Sequence, residues 1–219
     1  MKHEVTLPAQ YGKQDIVRHY NNMAARYDIW GRLTESKART RCLELAAIRD
    51  GEAVLEVAVG TGLAFAEILR RNPSGHNEGI DLTANMLAQA RHKAVQVGHN
   101  NYTLRQGDAY ALDYPADTFD VLVNNYMFDL LPTNDFPLAL AEFARVLRPG
   151  GRLVMANMAL SWRWYQRVWP WAYNHNPRWT GGCRGVSLAD PLAAAGFTVT
   201  HQENISQMTF PSQVLLAVK

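Results

Sequence analysis

Apolar residues follow two rhythms along this chain, and the two alternate. Short continuous apolar runs predict strands over 53–59, up to Asp81, and over 102–106, 119–124, 152–158, 197–204 and 213–218. Between them, apolar positions three and four apart predict helices over 15–25, 34–47, 63–71, from Leu82 or Thr83 to about 97, and over 135–147 and 187–195. Polar and glycine-bearing stops separate the elements. Thr34 is the expected N-cap of the second helix, and Arg49-Asp50-Gly51, Asn72-Pro73-Ser74-Gly75, Gly98, Arg148-Pro149-Gly150-Gly151 and Gly196 are the expected stops. The alternation predicts an α/β fold with a Rossmann-like, mostly parallel seven-stranded sheet. Only about eight residues join the last two strands, too few for a parallel crossover, so the last strand is expected to be antiparallel. A single domain follows: N-terminal helices over 1–50, a core over 53–158, an insertion over 159–186, and a C-terminal helix with two strands over 187–219.

Composition narrows this picture without redirecting it. With 219 residues, 47% of them hydrophobic, the chain can fill the core of one domain. A net charge of +2 from 22 basic and 20 acidic side chains gives no case for a nucleic-acid partner. Cys42 and Cys183 lack metal-ligand or disulfide-framework spacing, and no histidine is spaced for metal binding. No signal-like segment or membrane-length apolar run is visible, so the expectation is a cytoplasmic protein, at most peripheral to the inner face of a membrane.

The chemistry starts where the first strand ends. "VAVGTGL" passes from an apolar run through Gly60 and Gly62 into a helix, a turn in which backbone can approach a ligand closely and the helix presents unpaired amides. Asp81 closes the next strand about twenty residues later, where a carboxylate accepts both hydroxyls of a ribose. A dinucleotide dehydrogenase is the rival reading of this turn, but Phe65 stands where its third glycine belongs.

From about residue 54 to 158 the sequence resembles the class I S-adenosylmethionine-dependent methyltransferases, on five motifs in order: "EVAVGTG", "GIDLTANML", "GDAYAL", "FDVLVNNYMFDLL" and "VLRPGGRLVM". The resemblance implies S-adenosylmethionine as cofactor. It places Glu56 and the turn of Ala58, Gly60 and Gly62 around the methionine part, Asp81 on the ribose, and Leu82 or Met86 beside the adenine. Asp108 and the Ala109 backbone would meet the adenine amino group. Ala58 departs from the pattern, standing where many members have the first glycine. "YNNMAARYDIW" resembles the N-terminal segment of quinone-biosynthesis C-methyltransferases and their lipid relatives, in which Tyr27 and Tyr20 match a group that closes over the cofactor. A packed aromatic helix face is the plainer reading of the same residues.

Asn124, Asn125 and Tyr126 lie at the end of the fourth strand, where open α/β sheets bind ligands. Asn124 is expected on the cofactor side, and Asn125 or Tyr126 on the acceptor. Asp129 suits either a base or a helix cap. The segment "SWRWYQRVWPWAYNHNPRWTGGCRG" holds five of the six tryptophans, and residues 143–189 contain seven arginines and no acid. No single helix stripe buries so many tryptophans, which suggests a cap over the site or contact with a membrane surface. His175 within it suits proton removal from an amine, thiol or phenol, or a structural role, and Cys183 suits a buried thiol. The expected function is methyl transfer to a small hydrophobic or lipid-like acceptor, a phospholipid amine or a quinone precursor. A soluble small-molecule acceptor and a non-catalytic cofactor-binding module are the alternatives.

Overall fold

The computed structural model describes residues 6–219, with the side chains of residues 19 and 21–27 outside the description. Seven strands form one sheet: β1 (Ala53–Val57), β2 (His76–Asp81), β3 (Tyr102–Gln106), β4 (Phe119–Asn125), β5 (Leu147–Met158), β6 (Thr198–Gln207) and β7 (Phe210–Val218). Their order is β3-β2-β1-β4-β5-β7-β6, with β7 antiparallel to both neighbours and the other pairs parallel. Strand order reverses between β1 and β4, so the crevice at their carboxyl ends lies uncovered by a crossover.

Among the described residues seven α-helices flank the sheet: α1 (Lys13–Thr34), α2 (Ser36–Ala46), α3 (Leu63–Arg71), α4 (Ala84–Val97), α5 (Phe136–Val146), α6 (Val168–His175) and α7 (Ala189–Ala194). Two apolar cores form, one on each sheet face. Phe65, Ile68, Leu69, Met86 and Ala90 of α3 and α4 pack on one side, and Phe136, Leu140 and Phe143 of α5 on the other. β2 is buried although its sequence, HNEGID, is polar. Its groups are paired: Asn77 bonds to Asn72 at 2.8 Å, and Glu78 accepts from Tyr114 at 3.1 Å.

Several elements differ from expectation: β6 and β7 each run three residues further toward the hairpin, so that Met208 and Thr209 alone join them where about eight residues were expected. The first helix runs on to Thr34, whose hydroxyl donates to the Trp30 carbonyl instead of capping the next helix; Glu35 is the junction, its amide bonded to Gly31. β5 starts at Leu147, because the Pro149-Gly150-Gly151 segment is a bulge within the strand, tied to Lys219 by two backbone hydrogen bonds. The cap is two 3₁₀ turns, Trp164–Arg167 and Pro177–Thr180, around α6. Starting α6 at Val168 puts Pro170 in the first turn, where its missing N–H breaks no helical bond.

Candidate active site

The crevice opens into a cleft of about 1020 Å³, a figure that counts its open mouth. One end is built by the glycine turn. After Val57 the chain turns at Ala58, which adopts φ +61°, and Gly60 follows at φ +57°. The Val59 amide bonds to the Ile80 carbonyl at 3.0 Å, and the Gly60 amide donates to Asp81 Oδ2 at 2.7 Å, locking the turn to the end of β2. Asp81 Oδ1 accepts from the Thr83 amide and hydroxyl at 2.8 and 2.7 Å. Burial pushes the Asp81 pKa up, against the lowering effect of these donors. Each carboxylate oxygen has two lone pairs, so Oδ2 keeps one for a ligand.

Asp108 lies at the other flank of this end, its Oδ1 accepting from the Tyr110 amide at 3.2 Å and its Oδ2 paired with Lys13 of α1. Lys13 also sits 5.5 Å over the Tyr110 ring, and Tyr110 donates to Asp135 at 3.0 Å. Leu82, Met86 and Ala109 complete the wall.

The far end is apolar. Ile16 and Tyr20 of α1 face Met127, Leu130, Leu131 and Pro132 of the loop after β4. Tyr20 donates to the Gly181 carbonyl of the cap at 3.2 Å. Two polar groups interrupt this wall. Asn125 turns its amide toward the Glu56 carboxyl, and its Oδ1 is buried with no hydrogen-bond partner. Tyr126 holds φ +52°, a strained backbone for an aromatic residue, and its hydroxyl meets Ser212 Oγ at 2.8 Å. Burial, with Glu35 nearby, holds the Tyr126 hydroxyl well above its ordinary pKa.

The cleft therefore gathers Tyr20, Ala58, Gly60, Asp81, Leu82, Met86, Asp108, Ala109, Asn125 and Tyr126. The other candidates stand elsewhere. Gly62 does not line the cleft: at φ +83°, a Cβ there would meet Ala90 Cα of α4 at 2.7 Å, so it permits close packing of α3 on α4. Asn124 turns to the opposite face of β4, where its amide donates to the Val57 carbonyl at 2.9 Å. Glu56 is buried outside the lining, with Oε2 unpartnered and its pKa pushed well up by burial. His175 is exposed on the outer side of the cap, 4.3 Å from the Trp171 ring. Tyr27 lies outside the described side chains. Asp129 is wholly buried behind the cleft, where it accepts from the Met158 amide at 3.2 Å, and burial lifts its pKa to about 6. Cys183 is likewise buried, its thiol pushed up by burial and by Asp129. Lys13 and Ile16 escaped the sequence reading. Their spacing with Tyr20, three then four residues, marks one helix face.

The donor set suits a nucleoside bearing a charged amino-acid arm. Nothing lies within 4 Å of a Cβ built on Gly60, so a ligand can lie against its backbone. Asp81 offers a free lone pair to a ribose hydroxyl, and the buried Asn125 Oδ1 has no partner within the protein.

Residues 54–151 match the family model described as Methyltransferase domain. The chain is 32% identical over 207 residues to the demethylmenaquinone methyltransferase of Thermus thermophilus, covering 84% of this chain and 93% of that protein. It is 36% identical over 143 residues to the phosphatidylethanolamine N-methyltransferase of Cereibacter sphaeroides, covering 65% and 67%. Among solved structures, the magnesium protoporphyrin IX methyltransferase of Synechocystis with bound SAH superimposes with a TM-score of 0.73 at 17% identity, covering 94% of this chain and 99% of that one. The cyclase SpnF has the same fold, with a TM-score of 0.74 at 18% identity over 99% of both chains. With the ordered motifs, the switch-point cleft and these relatives in agreement, the chain belongs to the class I S-adenosylmethionine-dependent methyltransferases, and S-adenosylmethionine is its cofactor.

Proposed function

We propose that the protein methylates a small hydrophobic or lipid-like acceptor, an amine-bearing phospholipid or a quinone precursor. The observation that carries this reading is the apolar far end of the cleft, where Ile16, Leu130, Leu131 and Pro132 surround the two polar groups of Asn125 and Tyr126. Such a wall rewards an acceptor that leaves water, and the two polar groups orient it. The named relatives act on demethylmenaquinone and phosphatidylethanolamine, which agrees with it.

S-adenosylmethionine supplies a methyl group on a sulfonium, a good leaving group, so the protein's work is alignment and exclusion of water. In this reading Asp81, Asp108 and the backbone at Gly60 and Ala109 hold the cofactor. Asn125 orients the reacting end. Tyr20 of α1, tied to the cap through Gly181, shields it from solvent. Tyr126 stays protonated at neutral pH and acts as a hydrogen-bonding group instead of a base.

The test is transfer of labelled methyl from S-adenosylmethionine to dispersed phosphatidylethanolamine and to demethylmenaquinone. Label in the organic extract with either acceptor is expected, at a rate reduced at least tenfold in Asn125→Leu. Label found only with water-soluble amines, phenols or thiols would overturn the lipid-like acceptor and leave the methyltransferase intact.

A further inference from the structure

Among the described residues, every exposed large apolar side chain except Val95 and Leu138 stands on the C-terminal half of α1, on the cap, or at the β6–β7 tip. Trp164 is 83% exposed, Met208 69%, Trp179 57% and Trp171 54%. These elements are pinned together. The Gln207 side chain at the hairpin tip donates to the Arg32 carbonyl and accepts from the Lys37 amide, each at 2.8 Å. Trp169 of the cap donates to the Thr209 carbonyl at 3.0 Å and packs edge-on against Trp30 of α1. The unburied aromatic and aliphatic surface of the described residues, Val95 and Leu138 apart, thus gathers on a contiguous group of elements, which forms this face.

The same face is basic. Arg32 of α1 and Arg163, Arg167 and Arg178 of the cap are exposed, as is Lys37 of the adjoining α2, and the cap contains no acidic residue. Exposed tryptophans interleaved with arginines suit a headgroup layer, where rings enter the apolar boundary and guanidinium groups meet phosphates. A second copy of the chain would bring five like charges against five. No described helix is long and apolar enough to cross a membrane, so contact through this face is peripheral.

We propose that this face docks the protein on an anionic lipid bilayer. The inner end of the cap borders the cleft, with Gly181 on Tyr20 and Gly182 against Tyr11 and Leu130, so docking brings the acceptor end of the cleft toward the membrane. The proposal deepens the lipid-like acceptor reading, but its test is separate, because vesicles of phosphatidylglycerol and phosphatidylcholine offer no amine to methylate.

The experiment is sedimentation with such vesicles at low salt. Phosphatidylglycerol vesicles are expected to carry the protein down and pure phosphatidylcholine vesicles to leave most of it in solution. Binding should weaken about fivefold for each arginine removed in Arg163→Ala/Arg167→Ala, and at least tenfold in Trp164→Ser/Trp171→Ser. Unchanged titration with S-adenosylhomocysteine shows that both variants fold. Absence of binding to phosphatidylglycerol, or equal binding by the tryptophan variant, would overturn the proposal. So would a concentration-dependent dimer that the tryptophan variant abolishes.

Discussion

At Ala58 the backbone adopts φ +61°, a conformation that costs an L-residue about 1 kcal/mol and a glycine almost nothing. The methyl group at the family's usual glycine is thus tolerated by strain, and Ala58→Gly is expected to raise stability by up to about 1 kcal/mol, read as a higher Tm. Gly62 is the opposite case. Gly62→Ala drives a Cβ into the Ala90 backbone at a positive φ, and should lower stability by roughly 2–4 kcal/mol in denaturant unfolding. The sequence marked both positions but could not separate their roles, because a ligand-facing and a helix-facing glycine look alike in one dimension. Asn124 and Asn125 present the same difficulty. Alternation places only one of them in the cleft, and which one depends on the register of Val57 with Asn124 across β1 and β4. Asp129, buried with its pKa lifted to about 6, stabilises the fold while protonated. Its contribution is full below the unfolded value near 3.9 and is lost as pH rises through about 6, on the order of 3 kcal/mol. In Asp129→Asn, which keeps an acceptor for the Met158 amide, unfolding free energy should change less across that window than in the wild type.

At the scale of elements, strands and core helices were legible because burial writes a period into them. β3 and α3 have the expected bounds, and α4 ends at the expected Gly98. Where tertiary contacts decide, the pattern misleads: α1 continues past 25, and the cap is broken by Pro170 and by the Gln166 side chain, which accepts from the Trp162 and Arg163 amides at 3.1 Å. The cap's anchor was also hidden. Arg184 is buried and donates to three carbonyls, those of Leu7, Asp129 and Leu131, at 2.6, 2.8 and 2.6 Å. It joins the N-terminal segment, the loop after β4 and the end of the cap, and Tyr173 adds a bond to the Pro8 carbonyl at 3.0 Å. Arg184→Ala leaves the Leu7 and Leu131 carbonyls without their donors, while that of Asp129 keeps the residue-184 amide, and should cost about 3 kcal/mol or more, with faster proteolysis before residue 12 as the local readout.

The whole molecule places its chemistry at the reversal of strand order, and covers it with α1 and the cap. α1 reaches the Asp108 end of the cleft through Lys13 and the apolar end through Tyr20, whose hydroxyl donates to the Gly181 carbonyl of the cap. The central claim is that the carboxylate of Asp81 and the open backbone at Gly60 form the cofactor site. Calorimetric titration with S-adenosylhomocysteine of the wild type and of Asp81→Asn tests it most directly, with Tm confirming that the variant folds. One site per chain is predicted, with affinity falling about ten- to a hundredfold in the variant as a charged hydrogen-bond acceptor is lost. Equal affinity in the two proteins would contradict the account.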